Sequence, residues 1–192
     1  MKEGYIKQED RKKILLITDD IRVHSGVAQV GRETVVNTIH KYNWVQIAGA
    51  VDHPDTGKII DMTEDIKKQR DDINDPYCRL YPTKGYGDIT LLNEVIKREK
   101  PDALFLITDP RYFAWLFNNE DQIRKNIPIA YLNIWDNYPA PMYNKEYYES
   151  CDLLMGISKQ THNIVKNVVR KYPKEDWQIQ YVPHGMDEKQ HF

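Results

Sequence analysis

A chain of 192 residues with 41% hydrophobic content is long enough to close one core without a disulfide or metal staple, since about 70% of the unfolded surface is buried at this size. Its 27 Lys and Arg against 29 Asp and Glu leave a net charge of −2, which argues against nucleic acid as a partner because phosphate binding needs clustered positive charge. No apolar run approaches the ~20 residues of a membrane helix, and the charged opening MKEGYIKQEDRKK is no secretory signal, so the expected setting is cytoplasmic.

In chain order, the first 12 residues read as an extension and Lys13–Thr18 (KILLIT) as a buried strand. A polar loop, 19–25, leads into a helix that sets Val27, Val30, Val35 and Ile39 near one face. Val45–Val51 is the next strand. The stretch Pro54–Tyr86, rich in Asp, Lys and Pro, reads as a surface excursion with two strand candidates, Lys58–Met62 and Cys78–Tyr81. Asp88 is placed to cap a helix over 89–99. A strand at Ala103–Ile107, a helix over Tyr112–Lys125 and a strand at Ile129–Ile134 follow. Leu153–Ile157 is a further strand, and Ser158 caps a helix from Lys159 to about Tyr172, with Ile164, Val165, Val168 and Val169 on one stripe. Ile179–Val182 closes the series. His40 and His162 fall on helix surfaces. Cys78 and Cys151 beside strands make no disulfide framework and are expected as buried thiols.

These strands are continuous apolar runs, the pattern of parallel strands covered by helices on both faces. Their alternation with helices predicts an α/β fold: a Rossmann-like, doubly wound, mostly parallel sheet over 13–182, with 183–192 leading away from it.

In such a sheet ligands collect beyond the carboxyl ends of the strands. That rule selects the loop from Asp19 to Gly26, Asp52 and His53, Thr108 and Asp109, Trp135–Pro141, and Ser158 with Lys159. Within it, Ser25 and Gly26 stand where a loop enters a helix, so free amides there suit a phosphate or sugar oxygen; the alternative is that Gly26 serves a tight turn. Gly31, in the helix, reads as a packing contact with the sheet. No G-x-G-x-x-G is present, which counts against a dinucleotide enzyme. Asp136, past a strand and flanked by aromatics and prolines, suits hydrogen bonds to sugar hydroxyls or else a cap or ion pair. Asp109, before Pro110, either meets ligand or starts a helix. His24 is a loop contact candidate. No ligand set has metal spacing, so no metal is expected.

The C-terminal third, Asp152-Leu-Leu-Met-Gly-Ile-Ser-Lys, a helix, then Ile179-Gln-Tyr-Val-Pro-His-Gly-Met-Asp and Phe192, resembles the retaining glycosyltransferases of family 4. Pro183, His184, Gly185, Met186, Asp187 and Phe192 match that family's crossing between domains, with one extra residue before the Phe. Ser25-Gly26-Val27 resembles its Gly-Gly-apolar turn, with serine for the first glycine, and Asn133–Pro141 its His-Asp segment, with Trp135 for the histidine. The resemblance implies one half of a two-domain GT-B enzyme that is metal-independent and needs no organic cofactor. Its co-substrate would be a nucleotide sugar and its acceptor a small molecule or glycan. Asp136 would carry the catalytic role, with Ser25, Gly26, Val27, His24, Asp109, Trp135, Asn137, Ser158, His184 and Gly185 binding substrate. The family's two glutamates eight positions apart do not occur here, so a C-terminal donor domain, in this or a separate chain, is expected to supply them, and this chain alone to be inactive. Two other readings remain: a non-catalytic binding or assembly module, and a receiver-like phosphoacceptor built on Asp19, Asp20, Asp52, Thr108 and Lys159 with Mg²⁺.

Overall fold

The computed structural model of the chain describes residues 4–170 and 174–185. Its main elements are β1 (Lys12–Asp19), α1 (Gly26–Thr38), β2 (Tyr42–Gly49), β3 (Ile60–Asp61), α2 (Thr63–Gln69), β4 (Cys78–Pro82), α3 (Ile89–Glu99) and β5 (Ala103–Ile107). The second half adds α4 (Ala114–Phe117), α5 (Glu120–Ile123), β6 (Ile129–Asn133), α6 (Lys145–Glu149), β7 (Leu153–Gly156), α7 (Lys159–Val169) and β8 (Ile179–Tyr181).

The eight strands make one sheet in the order β3-β4-β2-β1-β5-β6-β7-β8, parallel throughout except for β3, which runs antiparallel to β4. Setting β3 aside, the order from β4 to β7 is the 3-2-1-4-5-6 winding of dinucleotide-type Rossmann sheets, with its switch point between β1 and β5. The 2-1-3-4-5 order of receivers is not present, which removes the phosphoacceptor reading.

Alternate residues of each strand feed two cores. Leu15, Ile17, Leu104, Leu106 and Tyr131 meet Leu92 and Val95 of α3 and the Ile164–Val169 stripe of α7 on one face. Leu16, Trp44, Leu80 and Ile107 meet Val35 and Ile39 of the α1 segment and Ile66 of α2 on the other. Gly31 admits α1 to the sheet: a Cβ there would lie 3.2 Å from Thr18 Cγ2.

Five expectations need correction. Pro54–Tyr86 is only partly a surface excursion, because β4 is a buried strand paired along β2 and Ile66 and Ile73 are core residues. Both strand candidates of this stretch are present, Cys78–Tyr81 as β4 and Lys58–Met62 shortened to β3. The helix expected over Tyr112–Lys125 is broken into a 3₁₀ turn at Pro110–Phe113, α4 and α5, and Asn119 Nδ2 donates to the Trp115 carbonyl where α4 ends, a side-chain alternative to the helical ladder. The α6 turn, which buries Tyr148, was not expected after so proline-rich a segment. His40 lies buried in the turn after α1 rather than on a helix surface, and His162 is half-buried where α7 crosses Gly156. Finally, β2 starts at Tyr42, before the apolar run, and its polar Asn43 donates from Nδ2 to the Gln8 carbonyl (2.8 Å).

Candidate functional site

The loop after β1 is built by side chains that satisfy one another. Gln46 of β2 donates from Nε2 to the Asp19 carbonyl (2.7 Å) and accepts from the Ile21 amide (3.3 Å). Arg22 forks onto the fully buried Asp20, at 3.0 Å from Nε to Oδ1, and reaches Asp55 in the loop after β2. Ser25 Oγ caps α1 by accepting from the Ala28 amide (2.9 Å) and donates to Asp19 Oδ2 (2.6 Å). Tyr86 donates to the other oxygen, Asp19 Oδ1 (2.7 Å). Burial, then this bond to a carboxylate, pushes the Tyr86 hydroxyl well above its ordinary range. The acidic pair Asp19–Asp20 is thus spent on loop construction.

Gly26 opens α1 in an exposed position, and a Cβ added to it would meet nothing within 4 Å. Its φ is not in the left-handed region, so the turn does not require glycine. Open space over the first amides of a 13-residue helix is what an approaching anion uses.

Tyr86 links this loop to the next one. Its ring lies 5.0 Å from Tyr112 and 5.7 Å, edge-on, from Phe113. At the end of β5, Thr108 has φ +116°, a strained conformation for a β-branched residue, and its carbonyl accepts from Tyr131 (2.6 Å). Asp109 caps the following turn by accepting from the Arg111 amide and binds the Arg111 guanidinium, with Nε at 2.9 Å from Oδ1. Burial works to raise the Asp109 carboxyl, but Arg111 outweighs it and holds it below the carboxylate range.

A cavity of about 270 Å³ opens between the ends of β5 and β6, lined in part by Thr108, Asp109, Asn133, Trp135, Asp136 and Asn137. The Trp135 backbone is fixed at both ends: its amide donates to Asn133 Oδ1 (2.9 Å) and its carbonyl accepts from Thr161 Oγ1 (2.8 Å). Its indole Nε1 donates to the Asn137 carbonyl (2.9 Å). Asp136 is exposed; its carbonyl is held by Gln160 of α7 (2.7 Å), and among the described residues no cation pairs with its carboxylate.

The fold brings Asp109, Trp135, Asp136 and Asn137 to this one cavity and leaves the Ser25–Gly26 turn at the next loop along the same edge. His24 is exposed in that loop, while the Val27 side chain turns into the core on the α1 face. Ser158 caps α7 through the Thr161 amide (2.9 Å). His184 and Gly185 are exposed just past β8, whose end is tied to the sheet by Val182 N to Gly156 O (2.9 Å); Met186, Asp187 and Phe192 lie outside the described residues. Sequence reasoning missed Gln46, Tyr86, Arg111 and Asn133. Only Arg111, two residues after a strand-end aspartate, left a local signal.

No family model matches the chain, and no curated protein matches it. Among solved structures it is similar to a UDP-N-acetylglucosamine 2-epimerase at a TM-score of 0.50 and 12% identity, over 92% of this chain and 48% of that one. The chain therefore spans about half the length of that neighbour, and at this identity the likeness is one of fold.

Proposed function

We propose that the chain is the acceptor-side half of a GT-B-type glycosyltransferase, which moves a sugar from a nucleotide-sugar donor to an acceptor across the carboxyl edge of the sheet. The observation that carries this reading is the cavity beside the β1/β5 switch point, where Asp109, Trp135, Asp136 and Asn137 converge. The open helix start at Gly26 and a fold neighbour named for a nucleotide-sugar substrate support it. Transfer needs charge stabilisation on the departing phosphate and an acceptor hydroxyl held in line. In this reading the Ser25–Gly26 turn meets donor oxygens, Asp136 orients the acceptor, and a second domain, in the same or a separate chain, supplies the remaining nucleotide contacts.

Gly26→Val gives a direct test. No protein atom lies within 4 Å of a Cβ at this position, so the urea midpoint should hold while binding of a nucleotide sugar, read by saturation-transfer NMR, falls at least about tenfold. Unchanged binding would remove Gly26 from the site. Once the chain is joined to its donor domain, Asp136→Ala should cost about 10²-fold or more in transfer; a loss of only a few-fold counts against its role. A chain that binds nucleotide sugars in no context is instead an assembly module.

A further inference from the structure

We infer that the cavity between β5 and β6 takes one ring of a neutral carbohydrate, stacked on Trp135 with its hydroxyls on Asp136 and Asn137. This rests on the acceptor-side reading and names the acceptor's chemical class.

Size comes first. At about 270 Å³ the cavity lies below the ~300–1,000 Å³ of sites for drug-sized ligands, a size that matches a single ring.

Charge decides the sign of the ligand. Two carboxylates line the cavity, and Arg111 neutralises Asp109 within an ion pair closed by three further hydrogen bonds. The other, Asp136, has no cationic partner among the described residues. A phosphate or carboxylate would meet uncompensated negative charge there, whereas a sugar hydroxyl donates into it as a charge-assisted hydrogen bond.

The rim supplies the apolar half of the recognition. Tyr143 stands edge-on to Trp135 at 5.9 Å, and the Arg111 guanidinium lies over both rings, 5.7 and 6.0 Å from their centroids. Tyr143 is 63% exposed, and an exposed aromatic beside a polar cavity marks a binding surface. The C–H face of a pyranose carries the slightly positive hydrogens that an aromatic face attracts. Since Trp135 is already fixed by three hydrogen bonds, little ordering cost remains on binding.

The test is saturation-transfer NMR on the 192-residue protein with methyl glucoside, methyl galactoside, methyl mannoside and lactose at millimolar concentration, with inorganic phosphate as competitor. Saturation should reach the ring protons of at least one saccharide. It should weaken about tenfold in Trp135→Ala and in Asp136→Asn, as expected for loss of an anchor, and persist under added phosphate. Tyr143→Ala, at an exposed position, reads the same platform should Trp135→Ala fail to fold. Absence of any saccharide signal, a signal unchanged in all three platform variants, or displacement by phosphate overturns the assignment. Nucleotide-sugar binding that depends on Gly26 alongside a silent saccharide panel would refute this inference while leaving the half-enzyme reading in place; saccharide binding with no nucleotide-sugar binding does the reverse.

Discussion

Glu99, at the end of α3, is nearly inaccessible yet charged. It accepts from Tyr77 (2.6 Å), Tyr81 (2.7 Å) and Lys13 (3.0 Å), while Lys13 and Arg79 lie over the Tyr77 ring. Burial alone would raise its pKa; the hydroxyls and Lys13 outweigh burial and bring it to about 2 from an ordinary 4.5. A carboxylate depressed on folding contributes stability that is complete above its unfolded pKa, here about 4.5, and is lost as pH falls toward 2. At 1.36 kcal/mol per unit this is at most about 3 kcal/mol, reduced because Lys13 and Arg79 are partly solvated. Urea unfolding at pH 6 and pH 3.5 should show a larger acid loss in the parent than in Tyr77→Phe/Tyr81→Phe; equal losses would contradict the account. Residues of this kind were not legible in sequence. A glutamate in a helical pattern reads as solvated, and only the pairing of β1 with β5 and of β2 with β4 brings Lys13, Tyr77 and Tyr81 around it. The place of Asp109, Trp135 and Asp136 on the cavity edge was legible because each lies within three residues of a strand's end.

Among the elements, α7 shows how local signals suffice. Ser158 caps it, its apolar stripe is buried, and it packs against β7 at Gly156, where a Cβ would lie 2.7 Å from the His162 amide nitrogen. Ser158→Ala should cost about 1 kcal/mol as a lost cap. Gly156→Ala should cost about 2 kcal/mol, because helix and strand must separate. Urea midpoints check both, and a neutral Gly156→Ala would show that α7 does not bear on the strand so closely. Elements with strong periodicity and a cap, α1, α3 and α7, follow from sequence because their information lies within one or two turns. The broken segment 110–123 and the α6 turn did not. Each is short, so tertiary burial of Phe113 and Tyr148 outweighs weak local preference.

At the scale of the whole molecule, both cysteines are buried and unpaired, Cys78 on β4 and Cys151 before β7. Burial pushes the Cys78 thiol up to about 12 and raises Cys151 as well. Since the thiolate is the reactive form, a disulfide reagent at pH 8 should titrate neither in the folded protein and both in denaturant; fast reaction of either while folded would mean that its strand opens readily. No helix among the described residues is long and apolar enough to cross a membrane. The alternation of apolar runs with capped amphipathic stretches determined, from sequence alone, that parallel strands would be wrapped by helices and which loops would stand beyond their carboxyl ends. Those properties depend on neighbours a few residues apart. Strand order, the switch point between β1 and β5, and the joining of Tyr86 to Asp19 and of Arg111 to Trp135 and Tyr143 were decided only by tertiary structure, because they unite residues that share no local pattern and meet only once the sheet has closed.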